Sequence, residues 1–404
     1  RLVRRVVAAV HDGGRRPVAQ RRPTGSLMPR RSPGEPGTYA LVAGGGTAGH
    51  VLPGLAVARA LVARGHDPAT IHFVGSERGL ESSLVPEAGF GLTVLPGRGI
   101  QRRVTLENVA AVWGLLQAIG RGIGLVRRRR PAVVLVLGGY ASVACVIGAV
   151  LWRVPIVVAE QNARAGAANR LAGFFAKASA VPFAETDLPR KVVTGNPVRA
   201  EVLAIDRVAD RSSAREALGL PLDRTVVAVV TGSLGARKVN EAVRAAVPSW
   251  AGRSDLAVRH VIGSRDFDVM SADAPDLPEG GLLYQQVRYE DRMDLLLAAA
   301  DLLVGRAGGT TVAELAEVGL PGLLVPLPIA PRDHQTANAA ALVRAGAAIL
   351  VPDGELDGDR IVRELQPLLD EPDRLTAMGA AARSLARPDA ADRVAGLVEA
   401  NARD

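Results

Sequence analysis

The sequence predicts an α/β protein made of two doubly wound domains facing a central cleft. Short apolar runs alternate with amphipathic stretches along most of the chain, the rhythm of a parallel sheet covered by helices. That rhythm starts twice, at Tyr39 and again at Val226, and each time the first strand ends in a glycine-rich loop that leads into a helix. With 44 glycines and 26 prolines, the chain also has the turns that such alternation needs.

The elements follow in order. Residues 1–38 hold nine arginines against Asp12 and Glu35, are rich in proline and glycine, and show no apolar periodicity, which predicts a disordered basic tail. No apolar core of signal-peptide length follows those arginines, an argument against secretion. Tyr39–Ala43 reads as a strand, Leu52–Arg64 as a helix, Ile71–Val74 as a strand, Gly79–Ala88 as a helix and Leu92–Leu95 as a strand. A long helix is expected over 106–129 and a strand over 133–137. Val133 to Trp152 is a run of 20 residues without charge, long enough to span a bilayer. Gly138-Gly139-Tyr140 and the β-branched residues before it predict instead a strand, a glycine turn and a helix over 142–151, with another strand, Ile156–Ala159, after Pro155. A polar stretch near 195–200 marks a boundary. The expected domains are thus 39–197 and 198–380, with a closing helical segment, 381–404, packing back toward the first.

Hydrophobic residues make up 48% and charged residues 22%, an ordinary globular balance, while aromatics at 3% leave the core to Ala, Val and Leu. The net charge of +8 is unevenly spread. Between 39 and 198 there are 17 basic and 8 acidic residues; from 199 onward acidic residues outnumber basic ones, 31 to 23. The folded part is therefore close to neutral but polarised, and nucleic acid is not an expected partner. A basic half suits an anionic membrane surface, or is simply a solvated face. The single cysteine, Cys145, sits in an apolar run, where a buried thiol packs as a small hydrophobe.

Five motifs carry chemistry. Ala43-Gly44-Gly45-Gly46-Thr47-Ala48-Gly49-His50 joins a strand to a helix; its glycines admit a ligand close to the backbone, and the helix start offers unpaired N–H groups to an anion. His50 closes that loop as a general base suited to neutral pH, or as a polar cap. Thr231-Gly232-Ser233-Leu234-Gly235-Ala236-Arg237 repeats the arrangement in the second domain, as a diphosphate loop or a tight turn. Arg306 to Glu314 forms an anion cradle at a helix start, with Glu314 one turn in, where it accepts from two sugar hydroxyls or complements the helix dipole. Pro326 to Asn338 offers Asp333, His334, Gln335 and Asn338 to a sugar, or as a capping cluster. Glu160-Gln161-Asn162, with Gly166 and Asn169 downstream, follows a buried strand and points into the cleft or caps a helix.

Taken together, these motifs resemble the peptidoglycan N-acetylglucosaminyltransferases of glycosyltransferase family 28, which convert lipid I to lipid II. Gly-Gly-Thr-x-Gly-His, Gly-Gly-Tyr, Glu-Gln-Asn, Gly-Asn-Pro-Val-Arg, Gly-Ser-x-Gly-Ala, Arg-Ala-Gly-x-x-Thr-Val-x-Glu and Asp-His-Gln-Thr-x-Asn-Ala occur in that order across residues 39–398. The resemblance implies a GT-B fold of two Rossmann-like domains, with UDP-GlcNAc held mainly by the second and the lipid-linked undecaprenyl-pyrophosphoryl-MurNAc-pentapeptide by the first. It implies that Thr47, Ala48 and Gly49 line phosphates, that His50 is the catalytic base, and that Asn162, Arg199 and Ser233 contact donor or acceptor. It further implies that Gly309, Thr310, Thr311, Val312, Ala313 and Glu314 cradle the nucleotide, with Glu314 on the ribose, and that Gln335 meets the GlcNAc hydroxyls. The backbone position facing uracil falls near Glu290 in Arg288-Tyr289-Glu290, where an apolar residue is usual. Ala48 and Leu234 also depart from the common pattern.

The implied reaction is an inverting displacement at the anomeric carbon by the C4 hydroxyl of MurNAc, His50 taking its proton. No cofactor or metal is expected, and no Asp-x-Asp motif is read near the cleft segments. The expected place is peripheral, on the cytoplasmic face of the cell membrane, with the membrane surface met through 96–130, including Arg102, Arg103 and Arg127–Arg130. Oligomeric state is left open. Acceptor assays separate this activity from that of other GT-B transferases. Nicotinamide binding would mark an oxidoreductase, and UDP binding without turnover would mark a scaffold.

Overall fold

The computed structural model describes residues 37–46, 48–77, 80–96, 107–232, 235–272 and 274–403, with the backbone alone at 48 and 107–116. The first half runs β1 (Ala40–Gly44), α1 (Ala48–Ala63), β2 (Ile71–Ser76), α2 (Glu81–Glu87), β3 (Gly91–Leu95), α3 (Glu107–Arg129), β4 (Val133–Gly138), α4 (Tyr140–Leu151), β5 (Ile156–Ala159), α5 (Ala167–Phe175), β6 (Ala178–Val181) and β7 (Lys191–Val193). The second half opens with α6 (Ala200–Leu203), α7 (Arg207–Ala217), β8 (Thr225–Val230), α8 (Arg237–Ala246), β9 (Leu256–Val261), α9 (Phe267–Ser271) and β10 (Leu283–Val287). It continues through α10 (Met293–Ala299), β11 (Leu302–Gly305), α11 (Gly309–Val318), β12 (Gly322–Leu324), α12 (His334–Arg344), β13 (Ala348–Leu350), α13 (Gly358–Asp370), α14 (Pro372–Arg383) and α15 (Ala390–Asn401).

Among the described residues the strands form two sheets, in the orders β3-β2-β1-β4-β5-β6-β7 and β10-β9-β8-β11-β12-β13. Every pairing is parallel, as the crossover helices require. Helices on both faces leave the central strands no polar side; Val133 to Leu137 and Val226 to Val229 are all at most 2% exposed. Strand order reverses at β1/β4 and at β8/β11, and a crevice opens at the carboxyl ends of such pairs. The glycine loops after β1 and β4 flank one crevice; those after β8 and β11 flank the other.

Both sheets lie in one compact unit. The chain passes from first half to second at 194–199 and returns near 385–390. Gly195 has φ +86, and a Cβ there would sit 2.6 Å from the Arg387 Cβ, so the two crossings pack backbone to side chain. After the return, α15 joins the first half: Val394, Ala395 and Val398 are fully buried with Val42, Leu61 and Ala159. Arg64 ties α1 to Asp392 and Glu399, each at 2.7 Å.

Three boundaries differ from expectation. The first helix starts at Ala48, a turn before Leu52, so Pro53 stands inside it and not at its first position. His50 is therefore helical, not the end of a loop. The fourth helix starts at Tyr140, directly after Gly139 turns the chain with φ +83. The second starts at Glu81. The uncharged run Val133–Trp152 divides into strand and helix, and among the described residues no helix is long and apolar enough to cross a membrane. The expected tail, apart from Gly37 and Thr38, and Arg102 and Arg103 lie outside the described residues.

One buried charge anchors the second half. Arg215 of α7, 1% exposed, donates to the carbonyls of Ala299, Leu222 and Arg224 and to Asp301 Oδ2 at 2.7 Å. It thus joins α7 to the turns before β8 and β11. Arg215→Met is expected to cost about 3–5 kcal/mol, since it strips a buried charge network of its centre. Urea unfolding of the two proteins measures the difference.

Candidate active site

The first crevice is floored by backbone. Gly45 O would lie 2.6 Å from a Cβ on Gly139, so the loops after β1 and β4 touch with no room for a side chain. His50, in the first turn of α1, reaches the same place: a Cβ on Gly138 would come within 3.1 Å of its Nε2 and 3.5 Å of Asn169 Oδ1. Burial lowers the His50 pKa below its ordinary 6.5, opposed by Glu160, a hydrogen bond to the backbone of Gly45, and Glu81. A neutral imidazole at physiological pH is the result.

Glu160, 3% exposed at the end of β5, organises the next loop. Its Oε1 accepts from the Gln161 and Asn162 amides and from Asn162 Nδ2, each at 3.0 Å. Its Oε2 accepts from Gly166 N at 3.0 Å and Asn169 Nδ2 at 2.8 Å. The triplet thus divides its work. Glu160 is the framework, Gln161 is buried with Nε2 on the Ala159 carbonyl, and Asn162 carries the loop onward. Asn162 Oδ1 accepts from Asn338 Nδ2 at 3.1 Å, and Asn338 Oδ1 accepts from Ala163 N at 2.7 Å. Asn338, fully buried on α12, also donates to the Ala307 carbonyl at 3.1 Å. It stitches the two halves and is not free to meet a sugar.

The third motif lies against that seam. A Cβ on Gly309 would fall 2.0 Å from Gln161 O, so only glycine fits. Gly308 caps α11 without a side-chain hydrogen bond, leaving the first amides of the helix for an anion. Thr310 and Thr311 stand in its first turn, while Val312 is packed in the core with Ala313 against it, so that these two offer a ligand only their backbone. Glu314, 8% exposed, accepts from Arg199 Nη2 at 2.8 Å and Nε at 3.2 Å. Two residues assigned to the ligands therefore pair with each other here. Burial raises the Glu314 pKa, with Arg199 pulling it back down. Arg306 faces the Val325 and Pro326 carbonyls and Asp353, and Gln335 Oε1 accepts from Leu327 N at 2.9 Å. Arg332 and Asp333, just before α12, both have positive φ (+59 and +52), and Arg332 reaches across to Asp187 at 2.6 Å.

One expectation, that no Asp-x-Asp motif lies near the cleft segments, needs correction. Glu290, near the backbone position expected to face uracil, is 7% exposed, its side chain engaged by Arg259 at 2.8 Å and by Arg292 N. The charged side chain is accommodated by this inward ion pair, and its neighbour Tyr289 is exposed. An Asp-x-Asp triplet does lie beside a cleft loop: Asp266-Phe267-Asp268 packs under Gly235, with Asp266 paired to Arg237 and Arg265, and Asp268 to Arg288. Below the same loop, Asn240, buried His260 and Tyr284 form a chain of hydrogen bonds, and burial drives His260 down to about 3. Sequence reasoning passed over this network, over the Arg332–Asp187 bridge and over Glu81, which holds the Gly46 amide. Only Arg332 lies within a motif, and its partner Asp187 does not. Thr47, Ser233 and Leu234 are outside the described residues, and Ala48 is described by backbone only.

The model described as Glycosyltransferase family 28 N-terminal domain matches residues 40–181, and the one described as Glycosyltransferase family 28 C-terminal domain matches 226–394. The chain belongs to glycosyltransferase family 28. Family 28 relatives resemble it over nearly their whole length. The protein of Acidothermus cellulolyticus named UDP-N-acetylglucosamine--N-acetylmuramyl-(pentapeptide) pyrophosphoryl-undecaprenol N-acetylglucosamine transferase is 42% identical over 366 residues, covering 89% of this chain and 97% of that protein. A protein of the same name from Nocardioides is 41% identical over 359 residues, covering 89% and 96%. Among solved structures, the crystal structure of Acinetobacter baumannii MurG superposes with a TM-score of 0.69 at 27% identity, covering 90% of this chain and 99% of that one. Its two-sheet GT-B arrangement is the one seen here.

The Arg199–Glu314 pair gives a measurable consequence. Arg199→Ala leaves Glu314 buried without its cation, at an expected cost of about 1–3 kcal/mol at pH 7.5. The cost is smaller at pH 5. A carboxyl whose folded pKa is raised loses folding stability as pH climbs from its unfolded value of 4.5 through the folded one. Unfolding free energies of both proteins at the two pH values check the sign.

Proposed function

We infer that the chain transfers N-acetylglucosamine from UDP-GlcNAc to undecaprenyl-pyrophosphoryl-MurNAc-pentapeptide, making lipid II from lipid I in peptidoglycan synthesis. The observation that carries this is the likeness to transferases of that name across about nine-tenths of the chain. His50, Asn162, Arg199, Glu314 and Gln335 stand along the crevices and the seam between the halves.

In the mechanism we assign, the second half holds the donor. Amides at the start of α11 and the Arg199 guanidinium meet the diphosphate, and Glu314 turns from Arg199 to accept from the two ribose hydroxyls. Gln335 is assigned to the sugar hydroxyls. The first half takes the acceptor diphosphate on the loop at Gly44–Gly46 and the start of α1. The C4 hydroxyl of MurNAc attacks the anomeric carbon from the face opposite UDP. His50 takes the hydroxyl proton, the C–O bond to UDP breaks with its electron pair, and the product is a β-linked disaccharide. Negative charge grows on the departing diphosphate, where fixed N–H dipoles stabilise it.

The acceptor's lipid calls for a membrane, and we assign the contact to the first half, peripheral and on the cytoplasmic side. The end of α4 exposes Leu151 (59%) and Trp152 (41%), and α5 exposes Phe174 (75%) and Phe175 (52%). Arg127 lies over the Trp152 ring at 5.1 Å, with Arg128, Arg129, Arg130 and Arg153 beside it in sequence. Exposed apolar groups rimmed by cations suit an anionic lipid surface.

Transfer of radiolabelled GlcNAc to a lipid I analogue tests the activity; no transfer to that acceptor would sink it. His50→Ala should cut kcat by about 10²–10⁴ with UDP affinity little changed. Because the neutral imidazole is the working form and burial lowers its pKa, the acid limb of kcat/KM should fall below pH 6.5. Reversing the charges of Arg127–Arg130 should weaken sedimentation with anionic vesicles; unchanged binding would move the membrane contact elsewhere.

A further inference from the structure

Glu81 is one of the buried carboxylates that the mechanism above leaves idle. It stands in the first turn of α2, 2% exposed, and its Oε1 accepts from the Gly46 amide at 2.5 Å across 35 residues of chain. A Cβ on Gly45 would lie 1.7 Å from that oxygen, and one on Gly75 would lie 2.9 Å from the Glu81 side chain. The carboxylate is thus clasped between the end of β2 and the first glycine loop. Its Oε2 is buried and has no hydrogen-bond partner among the described residues. A buried carboxylate so thinly satisfied is costly, and an apolar side chain would fill the same space at less cost. What the carboxylate alone provides is an acceptor that turns the Gly46 N–H inward. This fixes a loop otherwise free to adopt many shapes, since three glycines in a row restrain nothing themselves.

We propose that Glu81 is a positioning residue for the lipid-linked acceptor, holding Gly44–Gly46 in the one shape that seats its diphosphate beside His50. The proposal rests on the assignment of the acceptor to the first half. Two effects of Glu81 oppose each other there: its hydrogen bond orders the loop, while its negative charge repels an arriving diphosphate. Glutamine separates them, because its amide oxygen keeps the acceptor for Gly46 N–H and the charge is gone.

The full chain, as wild type, Glu81→Ala and Glu81→Gln, is assayed for kcat and for KM toward UDP-GlcNAc and a lipid I analogue. Misplacing a binding loop by a fraction of an ångström is expected to raise the acceptor KM of Glu81→Ala about tenfold or more. Its donor KM should stay within about twofold of wild type, and Glu81→Gln should lie within about threefold for both substrates. Equal loss toward donor and acceptor, equal loss in both variants, or an unaltered Glu81→Ala would each overturn the proposal. Calorimetric binding of a short-chain polyprenyl diphosphate to the same proteins reads the loop without turnover. A wild type that binds it but transfers no sugar would remove the function and leave Glu81 standing if Glu81→Ala alone binds weakly; no binding to the wild type would remove the Glu81 proposal as well.

Discussion

The two halves meet backbone to backbone where α11 begins. Gly309 lies so close to the Gln161 carbonyl that no side chain fits between them, and Asn338 spends every polar atom on fastening that contact. Everything at the site takes its position from this seam. The start of α11 is brought to the loop after β5, that loop is shaped by Glu160, and Glu160 in turn faces the imidazole of His50. A methyl group at residue 309 would fall 2.0 Å from that carbonyl, so the start of α11 could not keep its place against the loop.

Buried carboxylates are the recurrent device. Glu81, Glu160, Glu290, Glu314 and Glu317 are each at most 8% exposed. Four of them hold loops through backbone amides: Glu81 at Gly46, Glu160 at Gln161, Asn162 and Gly166, Glu290 at Arg292, and Glu317 at Arg387, where the chain crosses back to the first half. Two hold arginines, Arg259 and Arg199. A loop that carries no bulky apolar groups of its own is braced from behind by acceptors that its N–H groups can reach. Such bracing is electrostatically expensive, and for Glu317 burial is the leading cause of a raised pKa.

Much of the fold was legible in the chain because parallel strands buried on both faces must be apolar throughout, and the runs at 133–137, 156–159 and 226–230 are. The glycine loops were legible because tight strand-to-helix turns require backbone conformations that few other residues adopt. Helix starts were less so: Pro53 marks the first turn by statistics, but its place within α1 depends on the loop in front. Pairings across long separations left no local trace. Glu81 reads as an ordinary acidic residue in a helix's first turn, and nothing near it says that its partner is Gly46. Glu290 looks out of place until Arg259 on the neighbouring strand is seen beside it. Arg199 and Glu314 were expected as separate ligand contacts; that each is the other's partner is visible only in three dimensions.

Cys145 is the sole thiol in the chain, and it lies wholly buried in α4, its pKa pushed up to about 12. At working pH it is neither accessible nor nucleophilic. A cysteine introduced on the surface of either half would then be the single reactive handle, with no background to remove first. One fluorophore on each half would let the distance between the halves be followed in solution, on a molecule whose interior chemistry is left untouched.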